Sequence, residues 1–297
     1  MMELIYLPSP YQTIGKRRVE LWRRGIFLFD KTEREEGPFH KAGYEDYWCE
    51  GKSNEKLTPD IFGFSDNYFC VCDVSMSSQK GHEMEKYKGC TPSEYMKSLF
   101  PTEKERESAG SPFLITDEFG LKKEGGYNIV HVYQPGGATI DCINDRKLKE
   151  ILEKWTGILN PPPSYSLLAV PESSPDELKN PLAGILKWAA SNSDWITFEE
   201  VAEKLLGKLY TSFSRKAISE LRKKIQNIIY DLHKGILKEF IIYDNNGRFK
   251  VDIDTTSPQK RKAFSSKIHS WLKLTPIEYF IKDDELDEDN EEDDYDE

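Results

Sequence analysis

Thr58-Pro-Asp-Ile-Phe-Gly-Phe-Ser-Asp-Asn-Tyr-Phe-Cys-Val-Cys-Asp-Val-Ser75 is the stretch on which the fold turns. It reads as two short strands joined by a tight turn. In the strand from Tyr68 to Ser75, side chains alternate faces, so Phe69, Val71, Asp73 and Ser75 share one and Tyr68, Cys70, Cys72 and Val74 the other. Asp60, after Pro59, heads the preceding strand and meets Asp73 across the pair. Asp73 closes the run Phe-Cys-Val-Cys, a place where a charge is costly unless it is used. Two hard carboxylate donors side by side, completed by water, suit Mg²⁺ or Mn²⁺. Plainer readings stand beside this one. Pro-Asp before an apolar run is an ordinary strand start, and Asp73 has the chemistry of a helix cap.

The flanking segments read as follows. Lys16–Gly25 is a helix closed by glycine, followed by the break Gly37-Pro38. The aromatic and charged stretch 39–56 reads as one helix ending near Gly51. Gln79–Lys88 is compatible with a helix, and Pro92–Leu99 forms another. Pro112–Thr116 and Asn128–Tyr133 are strands rich in β-branched residues. Asp145–Leu159 carries Leu148, Ile151, Leu152 and Trp155 at helical spacing.

Over roughly residues 40–155 this order resembles the PD-(D/E)xK nuclease superfamily, with Pro59-Asp60 and Asp73-Val-Ser75 as the two halves of its motif. The resemblance implies an α/β domain, a mixed central sheet flanked by helices in the restriction-endonuclease manner. It also implies metal-dependent phosphodiester hydrolysis, with Asp60 and Asp73 as metal ligands and catalytic residues. The family places lysine where this chain has Ser75. Lys80, one turn into the next helix, is the replacement the family's variants point to. Gln79, Glu83, and Glu45 or Glu50 from the preceding helix are further contributors.

Asn160-Pro-Pro-Pro-Ser and Pro171-Glu-Ser-Ser-Pro-Asp bracket a stiff, turn-rich linker. The expected organisation is a nuclease-like domain over 1–160, a linker over 161–180, a second domain over 181–272 and an acidic tail over 273–297. In the second domain, Pro181–Asn192 is an amphipathic helix. Thr197 and Glu200 form a capping box for Phe198–Leu206, and Ser214–Lys234 is a third helix ending at Gly235. Two alternating segments around Asp244-Asn-Asn-Gly247 then form a hairpin. Three helices and a hairpin resemble the winged helix-turn-helix family, a small α+β domain. In that family the third helix enters the major groove and the hairpin touches phosphate. That resemblance implies Arg215, Lys216, Arg222, Lys223, Arg248 and Lys250 as nucleic-acid contacts, with Lys224 on the same helix. Residues 208–267 hold 14 bases against six acids, the concentration phosphate binding requires. Protein contact is the bland alternative for such a module.

The formal charge of −11 belongs to one end: residues 283–297 hold twelve acids and no base, and the remaining 282 residues carry a net +1. Such a run buries no core and is expected to be disordered, either solvating the chain or meeting a basic protein partner. No run of about 18 apolar residues exists, so no membrane span is expected. The first residues lack a signal-peptide pattern, and five cysteines without a framework fit a reducing interior, hence a cytoplasmic protein. Cys49, Cys70, Cys72 and Cys90 lack zinc spacing and read as buried thiols. His82 reads as a surface helix residue; His40, His131, His233 and His269 form no set. The expected activity is a metal-dependent DNA endonuclease, with RNA as a second substrate class and a homodimer suiting double-strand cleavage. Ser75 keeps open a non-catalytic nucleic-acid-binding or regulatory protein on a decayed nuclease fold, and an assembly subunit whose module contacts only proteins.

Overall fold

The computed structural model describes residues 14–76, 84–100, 105–118, 126–133, 136–159, 161, 167–192, 194–244, 247–254 and 256–273. Lys80, Gln79, His82, Glu83 and the run 274–297 lie outside them. The sheet-bearing half contains helices α1 (Ile14–Phe27), α2 (Pro38–Ala42), α3 (Glu94–Leu99) and α4 (Arg146–Lys154). Its strands are β1 (Asp46–Cys49), β2 (Ile61–Phe64), β3 (Tyr68–Ser75), β4 (Glu107–Ser108), β5 (Phe113–Thr116), β6 (Asn128–His131) and β7 (Ala138–Thr139). They form one mixed sheet, β1-β2-β3-β5-β6-β7, with β4 also paired to β3. The three strands β1, β2 and β3 are antiparallel neighbours; β3, β5 and β6 run parallel.

The sheet has two unequal apolar faces. Cys70, Cys72, Val74, Phe113, Ile115 and Val130 point into the larger core, where α1 brings Leu21, Trp22 and Ile26, α2 brings Phe39, and α4 brings Leu148 and Leu152. Gly63 in β2 lets Phe29 settle there, since a Cβ would stand 2.3 Å from its ring. Phe62, Phe64, Phe69, Val71, Leu114 and Ile129 point the other way, beneath Met84, Tyr87, Cys90 and Met96 of α3. Period-two alternation in β3 thus serves two buried faces, which explains why that strand is apolar almost throughout.

Residues 39–56 correct the expected single helix. α2 ends at Gly43, whose φ of 103° is a left-handed C-cap, and the chain then enters β1. β1 is stabilised by its ladder to β2, from Asp46↔Phe64 to Cys49↔Ile61, not by its own composition. α4 is shorter than its pattern: Asp145 caps it, accepting from Lys147 N–H and Leu148 N–H, and Trp155 leaves the helix. Tyr44 O–H also donates to Asp145 (2.9 Å), so this buried carboxylate is fully engaged.

The second half holds α5 (Pro175–Asn192), α6 (Phe198–Leu206), a 3₁₀ turn (Gly207–Ser212), α7 (Arg215–Lys234), the antiparallel pair β8 (Ile241–Tyr243) and β9 (Phe249–Val251), and α8 (Pro258–Lys273). α5 starts six residues before the expected Pro181. Pro175 and the acids Asp176 and Glu177 suit a first turn, and burial of Leu178 offsets the hydrogen bond that Pro181 removes from the helix interior. The capping box at Thr197 and Glu200 is present, and Ser214 caps α7. Ile218, Leu221, Ile225, Ile228, Ile229 and Leu232 form the buried stripe of α7. Ile196 bridges Phe249, adding a third short extended segment to the β8–β9 ribbon.

The two halves share one apolar core, running from Leu21 to Trp271. Phe213 packs on Trp22 (5.8 Å), and its backbone bridges Cys49. Among the described residues no helix is long and apolar enough to cross a membrane.

Candidate functional site

Strand register assembles the site. The last β2–β3 pair is Ile61↔Cys72, so Asp60 and Asp73 face one another in the next position. β1 ends at Cys49↔Ile61, and Glu50 N–H donates to the Asp60 carbonyl (2.7 Å), carrying the row out to Glu50. The sequence reading placed Glu50 on a helix; it follows a strand. Two residues further along β3, Ser75 pairs with Thr116 of β5, and Thr116 pairs with His131 of β6. Asp73, Ser75, Thr116 and His131 all lie on the face of the smaller core, beyond its apolar end.

The site is polar and enclosed. Asp60 and Asp73 are only 5% and 2% exposed, and Ser75, Thr116 and His131 are buried with them. Val74 N–H donates to Asp60 Oδ2 (2.6 Å), fixing that carboxylate against β3. Tyr87 O–H reaches Asp73 Oδ1 over a long 3.4 Å. Burial raises the Tyr87 hydroxyl, and the charges of Asp73 and Asp60 add to that, so Tyr87 remains a donor. Burial lowers His131, with the Glu118 backbone opposing, so its imidazole is neutral near pH 7. Its Nδ1 is buried without a hydrogen-bond partner among the described residues.

Beside this row a cleft of about 260 Å³ opens between the halves, lined by Glu50, Thr58, Asp60, Glu172, Lys216, Glu220 and Lys224 among others. Lys216, Glu220 and Lys224 follow one another by a turn along α7, so one stripe of that helix faces the sheet's acids. Lys216 Nζ lies 3.6 Å from Glu220, and Lys224 Nζ donates to the carbonyls of Pro171 (2.7 Å) and Ser173 (3.3 Å). Burial pushes the Glu50 carboxyl up to about 8; Glu172 and Glu220 raise it further, and Lys224 and Lys216 oppose them.

The two predicted metal ligands are therefore neighbours, and their donor chemistry fits a hard divalent cation. Among the described residues no set of three metal-ligating side chains is arranged around one point. Lys80 lies outside the described residues. The six predicted nucleic-acid contacts have different surroundings. Lys216 lines the cleft, while Arg222 is paired with Glu199 of α6 (2.6 Å). Arg215 and Lys223 are exposed on α7. Arg248 is paired with Asp244 (2.7 Å) and Lys250 with Asp252 (3.3 Å), and both cations also approach the Trp195 ring.

Sequence reasoning missed Thr116, His131 and Trp195. A signal existed for the first two: Phe-Leu-Ile-Thr116 and Asn-Ile-Val-His131 each end an apolar run on a polar side chain, as Phe-Cys-Val-Cys-Asp73 does. These are carboxyl ends of parallel strands, where open α/β sheets place their sites. No family model, curated protein or solved structure matches the chain.

Proposed function

We propose that the chain is a metal-dependent nuclease of PD-(D/E)xK type, delivered to nucleic acid by a winged-helix module. The observation that carries this reading is the pairing of Asp60 and Asp73 across β2 and β3, next to Ser75, in a mixed sheet flanked by helices. Asp60 and Asp73 would hold Mg²⁺ or Mn²⁺. When bound, such an ion supplies Lewis-acid stabilisation of the phosphoryl oxygens and a lowered pKa for the attacking water. His131, neutral and at the same end of the sheet, is a proton acceptor within the chain's own chemistry, and Lys216 brings positive charge to the adjoining cleft. Three helices, the bridge at Ile196 and the β8–β9 ribbon support the winged-helix assignment of the second half, with DNA as the principal substrate class.

Ser75 and the burial of both aspartates favour a second reading, a nuclease fold retained for binding alone. Incubation with linear, supercoiled and single-stranded DNA, with and without Mg²⁺ or Mn²⁺, separates the two. Metal-dependent cutting is expected, abolished by Asp73→Ala while DNA binding persists. Equal cutting by the variant overturns the site. Binding without cutting under every metal selects the second reading.

A further inference from the structure

Trp195 is one of two tryptophans of the second half that remain exposed, with Trp188. It is a large aromatic side chain left 38% exposed, although it sits directly beside a fully formed core. Its backbone position is fixed. The next residue, Ile196, exchanges both hydrogen bonds with Phe249 (2.7 and 3.0 Å), so it is bridged to the edge of the ribbon at that one pair. Ile196 and Phe249 point inward, where Phe249 stacks on Phe198 (5.5 Å between centroids, 25° between planes). Alternation then turns Trp195, Arg248 and Lys250 to the outer face.

There the Arg248 guanidinium stands 5.8 Å and the Lys250 ammonium 5.7 Å from the centre of the Trp195 ring. Ile242, directly opposite Lys250 in the β8–β9 register, is 40% exposed on the same surface. Asp244 holds the Arg248 side chain and Asp252 the Lys250 side chain, so both cations are oriented before any ligand arrives. The result is an exposed aromatic and apolar patch with two cations near its ring, carried on the β8–β9 ribbon.

We infer that this outer face is a binding site for an unpaired nucleobase, with Trp195 as the stacking platform and Arg248 and Lys250 holding the flanking phosphates. Three physical arguments favour that occupant. A flat π surface accepts the face of any base, which is the usual basis of sequence-tolerant single-strand binding. The two cations near the ring match a polyanion, and the chain segment 208–267 that supplies them carries 14 bases against six acids. Within a duplex the bases are already stacked on one another, so Trp195 gains a partner only where the strand is open. The inference rests on the nucleic-acid reading above and adds a preference for single-stranded segments.

The test is fluorescence anisotropy of the full chain with end-labelled oligo(dT) and oligo(U) of about 20 nucleotides, and with a duplex of matched length. Trp195→Ala is expected to weaken single-strand binding by about 5- to 100-fold, the loss of one stacked base, while duplex affinity changes by less than about threefold. Trp195→Phe, which keeps a ring, should recover most of the loss and guards against a folding artefact. Loss with oligo(dT), oligo(U) or both supports the site and shows which of these strands it accepts. Unchanged single-strand binding by Trp195→Ala, or an equal loss on the duplex, overturns the stacking role while leaving the wider reading intact. Failure of the unmodified protein to bind single or double strands overturns both.

Discussion

Glu50 sits at a left-handed backbone position (φ 54°), which costs a non-glycine residue roughly 1–2 kcal/mol and turns the chain out of β1 toward the cleft. One of its carboxyl oxygens is buried without a hydrogen-bond partner among the described residues, and its pKa is pushed up to about 8. The folded protein therefore keeps a proton on Glu50 up to that pH, whereas the unfolded chain releases it near about 4.3. Between those values the folded state binds more protons, so this group makes stability fall as pH rises. His131 acts in the opposite sense: its lowered pKa makes stability rise with pH, but only below its ordinary value of about 6.5. The window from about 6.5 to about 8 thus reports Glu50 with little interference from His131. Glu50→Gln removes the titration and keeps the shape. The variant should match the native protein near about pH 4 and exceed it by on the order of 2–4 kcal/mol above about pH 8. Denaturant midpoints measured across that range decide it; parallel curves for the two proteins would show that Glu50 is not protonated in the fold.

Among the elements, α6 owes its start to a reciprocal cap. Thr197 Oγ1 accepts from Glu200 N–H (3.1 Å), and Glu200 Oε2 accepts from Thr197 N–H (2.7 Å). Thr197→Ala removes one of these two bonds and should cost about 1 kcal/mol, read as a lower denaturant midpoint at unchanged slope. A shift below about 0.3 kcal/mol would mean that the packing of Phe198 and Val201 alone sets the helix start. This cap was legible because its partners are three residues apart, and α7 was legible because its apolar stripe, from Ile218 to Leu232, repeats through about four turns. β3 announced itself by a short apolar run, Phe69 to Cys72, following the turn residues Ser65-Asp-Asn67. β1 did not, because four residues give an alternation too short to outweigh their local composition; it is a strand only because β2 lies beside it. The same distinction divides the site. Asp60 and Asp73 share a hairpin and could be paired on paper. Thr116 and His131 reach the row only through parallel register, which sequence spacing does not encode, and Trp195 meets Arg248 and Lys250 across more than fifty residues.

At the scale of the molecule, the cleft exists because the sheet and the helical half are seated on each other. α1 is the common wall. Its Arg18 pairs with Glu177 of α5 (3.3 Å), and its Trp22 packs on Phe213 at the entrance to α7. Ser214 N–H donates to the Cys49 carbonyl (3.0 Å), so the cap of α7 is tied to the end of β1, one residue from Glu50. This fixed seating is what brings Lys216 and Lys224 to the acids of the sheet, so loosening it should disturb more than local stability. Phe213 is the side chain to test, being 2% exposed and in contact with the other half. Truncation of a buried phenylalanine costs about 3–5 kcal/mol. If the shared core makes the halves one cooperative unit, the native protein unfolds in a single calorimetric transition, and Phe213→Ala moves that whole transition down. In the same variant the elevated titration of Glu50 should fall back toward the ordinary carboxylate range, because solvent then reaches the cleft. Two separate transitions, with Phe213→Ala shifting only the one that belongs to the helical half, would mean that the halves fold independently and that the cleft is not a fixed part of the site.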